Sequence, residues 1–156
     1  MNKLSWCLKI KNGIELREPD EHLAEAYLKK AEDSFETMKT ITSKEWKITT
    51  AYYGMYFSAY AILMKIGVKC EIHNCTIEFI KNFLGHYFSK EEITFLSQAL
   101  QARIDSQYYA DREIAIGIIE EIEHEAKKFS LKCKLIAKKI TKEEVSTIRK
   151  KLSTYV

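Results

Sequence analysis

Ala51-Tyr52-Tyr53-Gly54-Met55-Tyr56-Phe57-Ser58-Ala59-Tyr60-Ala61-Ile62-Leu63-Met64 runs for fourteen residues without a charge, and five of them are aromatic. Apolar side chains fall on every side of a helical wheel, so a helix here must be covered nearly all round. The run is too short and too rich in tyrosine to span a bilayer, which takes about 20 mostly apolar residues. It therefore predicts the central helix of a soluble bundle. Its tyrosine hydroxyls then need partners, because a buried hydroxyl left unpaired costs roughly 1–3 kcal/mol.

The flanking sequence supplies helices to wrap around it. Upstream, Asp20 is a good N-cap, followed by Leu23, Tyr27, Ala31, Phe35, Met38 and Ile41 at steps of three and four. Thr42-Ser43-Lys44-Glu45 has the form of a capping box before the central helix, and Gly67 supplies its C-terminal stop. A shorter helix is expected from Asn74 to Leu84, ended by Gly85. The next starts at Ser89 with Glu92 completing a box, and carries Ile93, Leu96, Leu100, Ile104 and Tyr108. Asp111 is expected to cap a long helix striped by Ala115, Ile118, Ile122, Ala126, Phe129, Cys133, Ile136 and Ile140, with a break near Ser130 as one option. Thr141 and Glu144 open a last helix. No segment alternates with period two. The expected fold is an all-α, up-and-down helical bundle of four to six helices: residues 1–19 form an N-terminal lead-in, and 20–156 a single helical domain with basic C-terminal helices from about 127.

With 156 residues, one proline and five glycines, the chain fits one ordered domain rather than a many-turned β fold. No signal peptide is read at its start, so a cytoplasmic location is expected, with Cys7, Cys70, Cys75 and Cys133 as reduced thiols. The formal charge of +3 is unevenly spread: residues 127–151 carry +8 and the remainder −5. Such an end can bind polyanions, but lysines solvating the outer face of terminal helices is the plainer reading.

Arg103 is the most unusual residue, lying beside Ile104 on or near an inward stripe. A buried arginine needs a partner or a task. The choice is an arginine paired with a carboxylate or snorkelling at the stripe edge, against a guanidinium aimed at phosphate in a groove between helices. Cys70, His73 and Cys75 hold three soft metal ligands without the second pair that zinc prefers. Glu121 and His124 have the Glu-x-x-His spacing of bundle di-metal sites, but Glu121 lies off the apolar stripe. No metal or cofactor is expected, and no phosphate-binding glycine loop is present.

The chain resembles HEPN-domain proteins (higher eukaryotes and prokaryotes nucleotide-binding), and among them the small archaeal and bacterial single-domain members. The resemblance covers roughly residues 7–129. It is carried by Cys7-Leu8, by Leu23 to Glu32, above all by Ala51 to Leu63 followed by Gly67 and His73, and by Arg103 to Tyr109. It implies a bundle that dimerises, and in many members a metal-independent ribonuclease of toxin–antitoxin type, often paired with a minimal nucleotidyltransferase. The family's active motif is an arginine followed, after four to six residues, by a histidine. Here Tyr108 stands where that histidine would be, and a phenol with its pKa near 10 shuttles protons poorly at neutral pH. The resemblance therefore implies a non-catalytic homodimer that binds nucleotide, RNA or a nucleotidyltransferase partner, with no membrane involved. Arg103 would supply charge, and Asp105, Tyr108, Tyr109 and His73 would complete the ligand site. The alternatives are a ribonuclease toxin using Arg103 with Tyr108 or His73 as substitute base, and a purely structural interaction protein.

Overall fold

A computed structural model describes residues 2–156. Among them the chain forms seven helices and one two-residue pairing of strands: α1 (Lys3–Lys9), β1 (Glu15–Leu16), α2 (Glu21–Thr40), α3 (Lys44–Ile66), β2 (Val68–Lys69), α4 (His73–Phe83), α5 (Lys90–Tyr108), α6 (Ile116–Lys139) and α7 (Lys142–Ser153). The fold is an all-α bundle. No helix among the described residues is long and apolar enough to cross a membrane.

The charge-free run is the middle of α3, and it is the axis of the molecule. Helices α2, α5 and α6 pack around it, and α7 touches its C-terminal end. Tyr52, Met55, Ala59, Ile62, Leu63 and Met64 are all fully buried. Gly54 lets α2 approach: a Cβ placed there would lie 2.6 Å from the Phe35 ring. The buried face of α2 is Ala24, Leu28, Ala31 and Phe35, with Leu23, Tyr27 and Met38 partly covered at its flank.

Local chemistry sets the helix ends. Asp20 accepts from the Leu23 N–H at 2.8 Å. Ser89 with Glu92, and Thr141 with Glu144, form reciprocal capping boxes. Gly67 ends α3 in the left-handed region at φ 83°, where a side chain would be strained. Three expectations shift. Ser43, not Thr42, caps α3, and Glu45 turns onto the Ser43 hydroxyl. Leu84 ends α4 with ordinary φ, so Gly85 is not the left-handed stop expected of it. Helix α6 begins at Ile116 rather than after Asp111; residues 109–115 lie outside both helices, and among them Arg112 bonds Asp105 at 2.7 Å. From there α6 is unbroken through Ser130.

Residues 2–19 carry α1 and β1. Asn2 caps α1, β1 pairs antiparallel with β2, and Cys7 of α1 is joined to Cys75 of α4 by a disulfide. This corrects the expectation of four reduced thiols: Cys7 and Cys75 are paired, while Cys70 and Cys133 are free and buried. In the basic C-terminal region, Lys132 bonds Glu92 and Lys134 bonds Glu32. Arg149 donates to the carbonyls of Arg17, Ile66 and Gly67, locking α7 over the end of α3. Much of that charge is thereby used in holding the fold.

Candidate functional site

Three helices meet at the aromatic face of α3. Tyr52, Tyr53 and Tyr56 project from it at steps of one and three. The turn 67–72 then brings the chain back: the Cys70 N–H donates to the Tyr60 hydroxyl at 3.2 Å and the Glu71 N–H to the Asn12 carbonyl at 2.9 Å. With the neighbouring Cys75 anchored to α1, the start of α4 places His73 over α3. The imidazole stacks on Tyr56 with ring centroids 4.1 Å apart, and its Nδ1 lies 2.6 Å from the Tyr52 hydroxyl.

Helix α5 delivers Arg103 to the same place. Its guanidinium carbon stands 5.0 Å from the Tyr53 ring centroid and 5.7 Å from that of Tyr52. Nη2 donates to the Tyr53 hydroxyl at 2.8 Å, and Nε to Gln107 Oε1 at 3.0 Å, one helical turn along. Arg103 is only 9% exposed. No carboxylate lies within ion-pair distance of it among the described residues. The carboxylate-pair reading of Arg103 is thus replaced by a charge held on phenol, amide and ring faces. A guanidinium carries five N–H donors and the fold uses two of them.

Electrostatics sharpen the picture. Burial, with the Arg103 charge adding to it, pushes His73 from its ordinary 6.5 down to about 4, so the imidazole is neutral at pH 7. Burial raises Tyr52 and Tyr56 well above the usual phenol value, so both stay protonated. The Tyr52 hydroxyl has no other partner among the described residues. Phenol and neutral imidazole thus share one hydrogen bond at Nδ1. The site consists of a cationic donor, a neutral imidazole and a floor of tyrosine rings. The cationic donor suits an anion.

The expected site residues divide. Arg103 and His73 come together. Asp105 instead bonds Gln101 and Arg112, and the Arg112 bond holds its carboxyl below the usual range. Tyr108 is 65% exposed at the end of α5. Tyr109 lies under the Arg112 guanidinium, 3.4 Å from centroid to carbon. Sequence reasoning missed Tyr52, Tyr53 and Gln107 as parts of the site. The i, i+4 spacing of Arg103 and Gln107 was the available signal. The zinc option closes, since Cys75 is in a disulfide, and His124 meets Glu125 on the surface.

No protein-family model matches this chain, and no curated protein matches it in sequence.

Proposed function

We propose that this chain is a HEPN-type protein that binds the phosphate of a nucleotide or RNA at Arg103 and His73, without cleaving it, as a homodimer. The observation that carries the reading is the buried Arg103 guanidinium, with unused donors and no carboxylate to neutralise it. Burying a charge is costly unless something pairs with it, and an anionic ligand is the missing partner. His73 stands beside it as a neutral imidazole. Fluorescence anisotropy of labelled RNA at low salt tests this: the native chain binds and Arg103→Gln does not. Equal binding by both overturns it.

A metal-independent ribonuclease is the second reading. It is favoured by an imidazole that is neutral at pH 7 beside Arg103, even though the histidine comes from a different helix than the family motif places it. Opposing it, Nδ1 is engaged with the Tyr52 hydroxyl, and an imidazole with its pKa near 4 is a weak base at neutral pH.

A further inference from the structure

Ile77, Glu78 and Lys81 on α4, and Ile93, Thr94 and Ser97 on α5, fall at steps of one and then three, so each trio shares one side of its helix. With Gly85 and Phe88 of the connecting turn they line a cavity of about 660 Å³, within the roughly 300–1,000 Å³ of ligand sites. No residue of the Arg103 site lines it. Glu78 is its unusual member. It is only 8% exposed, and a buried carboxylate is costly without a partner. Oε1 accepts one bond, from Asn82 Nδ2 at 2.9 Å. No cation lies within ion-pair distance of Glu78 among the described residues, and Oε2 has no partner among them. No fully buried side-chain oxygen is left unpaired there, so Oε2 opens into the cavity that Glu78 lines. Lys3, Lys81 and Lys90 line the same space as exposed side chains, and none of them pairs with a described carboxylate.

We propose that this cavity binds a zwitterion with an apolar body, as presented by an apolar amino acid or a dipeptide headed by one. Its ammonium rests on Glu78, its carboxylate faces the three lysines, and its side chain lies against Ile77, Phe88 and Ile93. Charge complementarity selects this class. A simple cation would meet three lysines, and a simple anion would meet a buried carboxylate that already lacks a counter-charge. A molecule carrying both charges answers each. Burial orders them: the carboxylate of Glu78 is covered and the lysines are exposed, so the ammonium enters first and the ligand's carboxylate stays at the mouth. Ile77 and Phe88 are buried and Ile93 is partly covered, a floor that favours an aliphatic or aromatic body. The two sites share no side chain, so this one stands whether or not Arg103 binds phosphate.

The test titrates the full chain with L-phenylalanine and follows it by calorimetry and amide NMR. Saturable binding is expected, with shifts centred on residues 77–97. N-acetyl-L-phenylalanine lacks the ammonium and is expected to bind about tenfold or more weakly, the effect of one hydrogen bond to a charged group. Glu78→Gln is expected to erase that preference for the free amine. L-phenylalaninamide lacks the carboxylate and is expected to bind more weakly than the amino acid, and to be indifferent to Lys81→Gln combined with Lys90→Gln. Phenylalanylalanine separates the two sources: whichever of it and phenylalanine binds more tightly is the form the cavity takes. No saturable binding of either overturns the proposal. So does acetylated ligand binding as tightly as the free amino acid, a comparison on the native chain that needs no variant to fold. Unchanged selectivity in Glu78→Gln, or shifts confined to the Arg103 site, overturns it as well.

Discussion

The Tyr52 hydroxyl lies 2.6 Å from His73 Nδ1, across 21 positions of sequence. This one contact decides how His73 can act. The phenol stays protonated in its buried setting, and burial keeps the imidazole neutral at pH 7. A neutral ring held by such a bond lacks the charge that a free histidine gains near pH 6.5.

The first prediction is a titration. The folded pKa of His73 is about 4, below its ordinary 6.5. As pH falls through 6.5 the unfolded chain takes up this proton before the folded one does. The stability due to neutral His73 is thus complete above 6.5 and is lost progressively as pH falls toward 4. Proton NMR of the ring should place its midpoint near 4, and Arg103→Met should raise it by removing the second cause of the shift. His73→Gln should flatten the fall of the urea midpoint between pH 6.5 and 4. A midpoint near 6.5 in the native chain would show an open, solvated ring.

What could be read in the sequence was local. Asp20, Ser89 with Glu92, Thr141 with Glu144, and Gly67 announce helix ends through bonds to their own near neighbours, and they sit where expected. The uncharged run through Tyr52 and Tyr60 implied the buried axis for the same reason. Helix α1 has seven residues, too few for a periodic stripe to show. Asp111 looked like a cap, but α6 starts only at Ile116. The Cys7–Cys75 pairing spans 68 residues, and connectivity at that separation is not encoded in spacing. The site lies between these cases: Arg103 was conspicuous as a charge on an apolar stripe, while its phenol and amide partners are set by how α3, α4 and α5 meet.

The disulfide should matter to stability. Closing a loop of this length restricts the unfolded chain, and such bonds contribute about 2–4 kcal/mol. Reduction, or Cys7→Ser, is expected to lower the unfolding free energy by about that amount in urea. Thiol counting in denaturant should find two reactive cysteines before reduction and four after, matching the free Cys70 and Cys133. Four before reduction would show the bond absent.

Gly54 should be intolerant. A Cβ there meets the buried Phe35 ring at 2.6 Å, so Gly54→Leu is expected to destabilise by more than about 2 kcal/mol through overpacking. Gly54→Ala should lose less, because alanine returns about 1 kcal/mol of helix propensity. An unchanged urea midpoint for the leucine variant would mean that α2 and α3 can part without loss.

The homodimer has a direct measurement. Light scattering at micromolar concentration should give twice the 18.2 kDa chain mass. A mass of one chain would overturn the dimer.

The last prediction is that the protein binds RNA in EDTA and leaves it intact. Attack by a ribose 2′-hydroxyl needs a base for its proton and an acid for the leaving oxygen, each worth roughly 10²–10⁴-fold. Arg103 can steady the phosphate charge, but a guanidinium with its pKa above about 12 does not accept or release protons at neutral pH. His73 is the nearest candidate base. Its Nδ1 is taken up with the Tyr52 hydroxyl. With a pKa of about 4, it would also hold poorly any proton it gained. Tyr108 stands out in solvent at the end of α5. On the proposed reading the site gathers the phosphate without moving a proton. Purified protein and an Arg103→Ala control, incubated with mixed RNA in EDTA, should both leave full-length RNA. Cleavage by the native chain alone would overturn this, and its loss in His73→Ala would assign the proton transfer to His73 and promote the ribonuclease reading.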